Sequence, residues 1–421
     1  MILNPKAMMT TQPDAANVAT SGSTASLGNR RLFADPGYHF QALRVLNEVA
    51  NGGADVTEVL ETIGVIHGGD ASGWYDAWAA TAKRNIARAE ATRDQVSKGL
   101  AYLRAHNYWR TAEFLLKPHD TRRPSAWTSQ VDAFDRGLQA LGIAHERTSV
   151  PYENGALRAI FYPGPAGWAT KPLIVFVGGQ DSTLEELYFA LVPAAFRRGY
   201  GVLTYEGPGQ GAALREHGLF FTPEWEKPNA AVFDAYLGAH AKPPSIVLIG
   251  MSMGGYFAPR AAAFEPRIDG VVSFDVCYDF SEVVRRGVTL ARDPATSASS
   301  LATGLITNSK WTWGVQTLDE IVERSLAYRL ADVAGRISCD VLVLAGTEDE
   351  GIPLAQTAAF VAALTGARSV EKANYDRASG GAEHCQEGAS TLWHETFFDW
   401  LLRRFPELPS SPRTLEGSST R

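Results

Sequence analysis

One serine in this chain, Ser252, stands between small residues in Gly250-Met251-Ser252-Met253-Gly254. That spacing suits a nucleophile. A side chain presented on a tight turn from strand to helix needs small residues two positions to either side, because a Cβ there would strike neighbouring backbone. Ser245 to Ile249 reads as a buried strand, and Tyr256 to Ala263 suits the start of a helix packed against it. A glycine-rich turn with an incidental serine has the same five residues, but the flanking strand and helix favour the catalytic reading.

A serine hydroxyl is unreactive near neutral pH and needs a base, itself oriented by an acid. Only His384 and His394 follow Ser252. His384 lies in the loop-like Ser379-Gly380-Gly381-Ala382-Glu383-His384-Cys385-Gln386, and is the candidate base. His394 falls in an amphipathic helical stretch and reads as a structural or surface histidine. For the acid, Val341 to Leu344 is a strand that ends in Gly346-Thr347-Glu348-Asp349-Glu350-Gly351-Ile352-Pro353, a turn that points Asp349 at the histidine loop. Glu348 and Glu350 read as solvated turn charges. Asp275, which ends the strand after the nucleophile helix, is the competing acid. Backbone N–H groups for a developing oxyanion are expected from Met253 and from the loop Gly178-Gly179-Gln180-Asp181-Ser182, at Gly179 or Gln180. Tyr205-Glu206-Gly207-Pro208-Gly209-Gln210-Gly211 is glycine-rich but lacks the Lys-Ser/Thr of a phosphate loop, and reads as structure bordering the pocket.

The elements that must position these residues begin near His145. Arg147 to Tyr152 and Leu157 to Tyr162 read as strands joined by an Asn154-Gly155 hairpin turn. Apolar runs follow at Leu173 to Val177, Gly201 to Tyr205, Ile246 to Ile249, Val271 to Phe274 and Val341 to Leu344. Helical stretches alternate with them, at Leu184 to Arg198, Gly254 to Phe264 and Leu354 to Leu364. Strands apolar on both faces and separated by helices predict a mostly parallel sheet covered on both sides. The long interval from Tyr278 to about Ile337 is helical in patches and reads as a lid inserted after a strand. Ahead of the sheet, Leu32 to Leu141 shows helical periodicity only. Asp55 can cap a short helix, a second starts near Ser72, a third runs from Asp94 to before Pro118, and a fourth follows Thr128. The division expected is an arm over 1–31, a helical cap over 32–144, a catalytic domain over 145–407 and a flexible tail over 408–421.

The 421 residues carry a formal net charge of -7 with mixed signs, unlike the basic footprint of a nucleic-acid binder. Three cysteines, Cys277, Cys339 and Cys385, argue against a disulfide framework and suit a reducing, cytoplasmic setting. No apolar run reaches the roughly 18 residues of a membrane span. Trp74, Tyr75, Trp78, Tyr108 and Trp109, with Trp311 and Trp313 in the lid, either pack the core or line a pocket for a flat ligand.

Taken in order, Gly178-Gly179-x-Asp181-Ser182, Glu206 to Gly211, Gly250 to Gly255 and Glu383-His384-Cys385-Gln386 resemble the FrsA-like α/β-hydrolases. That group includes dihydropseudooxynicotine hydrolase and the fungal hydrolyases that shorten polyketides, such as the melanin-pathway heptaketide hydrolyase. The resemblance runs over nearly the whole chain. It implies an α/β-hydrolase fold whose N-terminal helices cap the active site, and it implies a homodimer. Ser252, Asp349 and His384 match the family triad by motif. Asp181 matches an acidic position that some members use in catalysis, as Glu in the nicotine-degrading type; Asp reaches less far, and a loop-capping carboxylate is the alternative role. Since several members cleave a carbon–carbon bond next to a ketone, the expected substrate is a small polyketide or aryl ketone. No cofactor or metal is expected. A carboxylesterase or lactonase, or a water-excluding acyltransferase or cyclase, would use the same triad. A non-catalytic receptor is disfavoured by the intact Ser, His and Asp set.

Overall fold

Alternation along the central strands decides how this chain buries itself. Leu173, Val175 and Val177 enter one hydrophobic core, while Ile174 and Phe176 enter another on the opposite side. A strand with both faces apolar has to be covered twice, and successive side chains point to opposite faces of the pleat.

A computed structural model describes residues 31–293 and 300–406. The sheet has eight strands: β1 (Glu146–Tyr152), β2 (Gly155–Tyr162), β3 (Leu173–Val177), β4 (Val202–Tyr205), β5 (Ile246–Met251), β6 (Gly270–Phe274), β7 (Asp340–Gly346) and β8 (Ser369–Tyr375). Their order is β1-β2-β4-β3-β5-β6-β7-β8. The β1/β2 and β2/β4 pairs are antiparallel, and every later pair is parallel. Helices α6 (Glu186–Phe196), α7 (Gly211–Arg215), α8 (Glu226–Ala239), α9 (Gly254–Ala262), α13 (Leu354–Ala363) and α14 (Ser390–Arg404) link or follow these strands. Phe233 of α8, Phe257 of α9 and Phe360 of α13 belong to one face's core; Leu191 of α6 and Phe397 of α14 belong to the other.

Five helices precede the sheet: α1 (Pro36–Asn47), α2 (Val56–Ile63), α3 (Ala71–Ala91), α4 (Gln95–Phe114) and α5 (Arg123–Leu141). Asp35, Asp55, Asp70 and Asp94 cap the first four, each carboxylate accepting from N–H groups of the first turn. Their own core gathers Tyr38, Trp74, Trp78, Tyr108 and Trp109. Phe134 and Leu138 of α5 join the second sheet core instead, which fastens the helical layer to the sheet. From Leu32 onward the chain forms one compact unit. Between β6 and β7 stand α10 (Phe280–Arg292), α11 (Ser300–Trp313) and α12 (Leu318–Ser325). The arm and tail expected at the termini fall, Arg31 apart, outside the described residues.

Several elements differ from the sequence reading, and α1 and the short α7 are not among the helices expected from it. The edge strand β8 was absent from it, because Ser369-Val370-Glu371-Lys372-Ala373-Asn374-Tyr375 alternates polar residues with small or single apolar ones and never makes an apolar run. Helix α8 was absent too, since its apolar residues sit on a narrow stripe. Helix α5 begins at Arg123, with Pro124 in its first turn, rather than after Thr128. Among the described residues no helix is long and apolar enough to cross a membrane, and Cys277, Cys339 and Cys385 are all unpaired.

The turn after β5 tolerates no side chain at Gly250, where an added Cβ would collide with the Gly254 carbonyl oxygen. Gly250→Ala is therefore expected to destabilise the protein by about 3 kcal/mol, read as a fall in Tm, whereas Gly238→Ala, in α8 with open space at its Cβ, holds or raises Tm.

Candidate active site

The turn joining β5 to α9 holds Ser252 at φ 61°, a left-handed conformation that a serine adopts only under constraint. Two hydrogen bonds impose it. The Ser252 N–H donates to Phe274 O on β6 at 3.0 Å, and the Gly255 N–H donates back to Ser252 O at 2.7 Å. The side chain is thereby lifted off the C-terminal end of the sheet.

His384 arrives on a short helical turn over His384–Gln386, where Cys385 and Gln386 also take positive φ. Its Nε2 lies 2.9 Å from Ser252 Oγ, and its Nδ1 lies 2.6 Å from Asp349 Oδ2. Since an ionised carboxylate only accepts, the Nδ1 proton belongs on the Asp349 side and Nε2 is left to accept from the serine hydroxyl. The other Asp349 oxygen takes the Gly351 and Ile352 N–H groups at 2.7 and 2.9 Å, which fixes the carboxylate in its turn. Burial opposes a charge on His384, but Asp349 and the neighbouring Cys385 outweigh it and hold its pKa well above the ordinary 6.5. Glu348 pairs with Arg377 instead. His394 is buried in α14, donates from Nε2 to Ala190 O at 2.8 Å, and is driven down to about 4 by burial.

Asp275, the competing acid, is also present. One of its oxygens lies 3.6 Å from His384 Nδ1 and accepts the Cys385 N–H; the other accepts the Gly346 N–H at 3.1 Å. Burial, then repulsion from Asp349, pushes its carboxyl up to about 7. The geometry makes it a clamp joining the ends of β6 and β7 to the histidine loop. Asp275, His384 and Cys385 each bring one potential metal-ligating atom within 4.8 Å of the others, but His384 Nδ1 already faces Asp349.

The loop after β3 abuts the serine. A Cβ at Gly179 would sit 2.7 Å from Ser252 Cβ and 3.0 Å from its Oγ, so only glycine allows this approach. Of the two donors expected there, the Gly179 N–H is taken by Ser182 Oγ at 2.8 Å. The N–H groups of Gln180 and Met253 meet no acceptor among the described residues, which leaves Gln180 with Met253 as the pair open to a ligand oxygen. Gln210 Nε2 donates to Gly178 O and Gly179 O at 2.9 and 2.7 Å, holding this loop in place. That role was missed in the sequence; the glycine spacing around Gln210 was its only signal.

These groups open on a cavity of about 650 Å³. Phe40, Arg44 and Phe114 from the N-terminal helices, Phe280 and Asn308 from the segment after β6, and Asp181 line it. Asp181, an exposed residue, is among those that line this space, and desolvation by its surroundings raises its pKa against the pull of Arg44, Arg110 and Arg123. Of the tryptophans weighed as pocket walls, Trp311 lines a small niche that adjoins the loop after β3, and the others went elsewhere. Trp74, Trp78 and Trp109 pack the helical core, and Trp313 is buried against Phe280 and Tyr328.

A serine hydroxyl within hydrogen-bond distance of an imidazole that a carboxylate also holds, with two free N–H groups beside one cavity, is an arrangement that could serve acyl transfer through serine. A family model described as the alpha/beta hydrolase family matches residues 174–385. The hydrolase acrC of Aspergillus aculeatus is 32% identical over 413 residues, covering 87% of this chain and 96% of its own length. The 20-hydroxy-prefusarin hydrolase of Gibberella moniliformis is 34% identical over 305 residues, covering 69% of this chain and 71% of its own. In fold, the crystal structure of 2,6-dihydroxy-pseudo-oxynicotine hydrolase superposes with a TM-score of 0.67 at 23% identity, over 85% of this chain and 94% of that one. The chain belongs to the alpha/beta hydrolase family.

Proposed function

We propose that this protein is a serine-dependent hydrolase that cleaves a carbon–carbon bond next to a ketone in a polyketide or aryl ketone. Ser252 is the nucleophile, His384 the base, Asp349 its orienting acid, and the helices over 36–141 close the site. What supports ketone cleavage over ester cleavage is Asp181, a carboxyl group of raised pKa inside the cavity beside the oxyanion loop. An alkoxide leaving group needs only the proton that His384 carries. A carbon leaving group is a poorer base site and benefits from a second acid in reach.

In this reading Ser252 Oγ attacks the ketone carbon while its proton passes to His384 Nε2. The carbonyl oxygen becomes an alkoxide held by the Gln180 and Met253 N–H groups. Collapse restores the carbonyl, breaks the bond to the adjacent carbon, and leaves the acyl group on Ser252. The departing enolate takes the proton that His384 carries, directly or relayed through Asp181, and His384 is left neutral. Water, deprotonated by His384, then releases the acid and restores the serine. A carboxylesterase would use the first and last steps unchanged, so products decide between them.

Wild type and Ser252→Ala are to be incubated with p-nitrophenyl acetate and with an acylated polyhydroxynaphthopyrone, followed by mass spectrometry. Loss of the acyl unit from the polyketide, poor ester turnover, and neither reaction in the variant are expected. Fast ester turnover with an untouched polyketide would make the protein an esterase.

His384 must be neutral to accept a proton, and its pKa is held high, so activity is lost as pH falls through that value. The acid limb of kcat/KM is expected above pH 6.5, the ordinary histidine value. Asp349→Asn removes a negative charge that favours the imidazolium, so the limb should move to lower pH while kcat falls by about 10⁴. A limb that stays in place would contradict the assigned pairing.

A further inference from the structure

The Gln180 N–H belongs to the peptide unit that begins at the Gly179 carbonyl. In a trans peptide these two groups share a plane and point in opposite directions, so whatever fixes the Gly179 oxygen also aims the Gln180 N–H. Gln210 fixes it. Its Nε2 donates to Gly179 O at 2.7 Å, and its Oε1 accepts the Gly207 N–H at 2.9 Å. The far end of the unit is tied elsewhere. The Gln180 side chain leaves the loop and donates from Nε2 to Ser309 Oγ at 2.8 Å, across 129 positions of the chain. Ser309 is buried on α11, and its neighbours hold it there. The Trp311 ring packs against the guanidinium groups of Arg123 and Arg215, at 4.7 and 5.1 Å. Thr312 O accepts the Phe221 N–H at 3.1 Å, and Trp313 stacks on Phe280 with ring centroids 5.8 Å apart.

We infer that Ser309 is a positioning residue for the oxyanion hole: from α11 it holds Gln180 so that the Gln180 and Met253 N–H groups converge on one oxygen. The inference rests on the hydrolase reading and on Gln180 as a donor. Gln210 alone leaves the peptide free to tilt about the Gly179 carbonyl. The other bonds of this loop engage Gly178, Gly179 and Ser182, and Asp181 beyond Gln180 is exposed. The tie to Ser309 acts on Gln180 itself. An oxyanion donor is effective only if it is aimed before the charge develops, and a misplacement of about 1 Å near reacting groups can cost roughly a hundredfold in rate. The tie also couples the donor to the segment between β6 and β7, whose Asn308, next to Ser309, lines the main cavity. If the bond served only to fasten α11, its loss would lower Tm and leave the chemistry of Ser252 unchanged.

The rate at which diisopropyl fluorophosphate labels Ser252 in the intact protein, followed across pH, tests this, because the phosphoryl oxygen takes the place of the oxyanion. Ser309→Ala is expected to slow labelling about tenfold, less than the roughly hundredfold loss of a whole oxyanion donor. The acid limb of the pH profile should stay in place, since His384 and Asp349 keep their bonds. Ser309→Thr retains a hydroxyl and should restore most of the rate. Gln180→Leu keeps the backbone N–H but cannot bond Ser309. It should be slowed to the same degree, and adding Ser309→Ala should slow it no further. If Ser309→Ala folds poorly, Gln180→Leu carries the test alone. A rate unchanged in either single variant, or losses that multiply in the double variant, would overturn the assignment and leave the hydrolase reading standing. A wild type that takes no label would sink the hydrolase reading, and this assignment with it.

Discussion

The hydrogen bond from Ser252 Oγ to His384 Nε2, 2.9 Å long, joins residues 132 positions apart in the chain. Neither side chain reaches the other by local structure. Ser252 is set by the end of β5, Asp349 by the end of β7, and His384 by the loop that follows β8. The contact therefore requires the parallel order β5-β6-β7-β8, and a shift of any one strand by a residue would turn its end to the wrong face. Ligand sites in open parallel sheets lie beyond the carboxyl ends of the strands for this reason.

What secures the ends is a set of buried polar ties rather than the apolar core. Asp275, at φ 54°, accepts N–H groups from Gly346 and Cys385 and so binds two strand ends to the histidine loop. Gln210 does the same for the oxyanion loop, and Glu206 anchors its own loop by accepting from Arg158 and the Ala212 N–H. A carboxylate in such surroundings is costly to bury unless its lone pairs are filled. In Asp275 the cost remains visible as a carboxyl raised to about 7.

Legibility in the sequence followed how locally each feature is determined. The strand, glycine turn and helix around Ser252 are adjacent in the chain, and the placement of the serine on a sharp turn could be read from them. His384 and Asp349 could be picked out because few histidines follow Ser252 and because Asp349 lies in a turn that ends an apolar strand. Features made by chain segments far apart were not. The second carboxylate beside His384, Asp275, was visible only as a rival to Asp349, whereas both approach the same nitrogen. The tie from Gln180 to Ser309 joins the loop after β3 to α11, and no periodicity marks Ser309 as facing that loop. The aromatic residues of α3 and α4 illustrate the converse: their helical spacing is that of a packed interior, and most of them are buried there.

Reactivity of Ser252 itself is the central claim, and covalent labelling reads it without any choice of substrate. Wild type, Ser252→Ala and His384→Ala are to be treated with diisopropyl fluorophosphate and digested, and the modified peptide identified by mass spectrometry. The account requires stoichiometric phosphorylation at Ser252 in wild type, none in Ser252→Ala, and labelling slowed by orders of magnitude in His384→Ala. An unlabelled wild type, or a modification at another residue that persists in both variants, would contradict it.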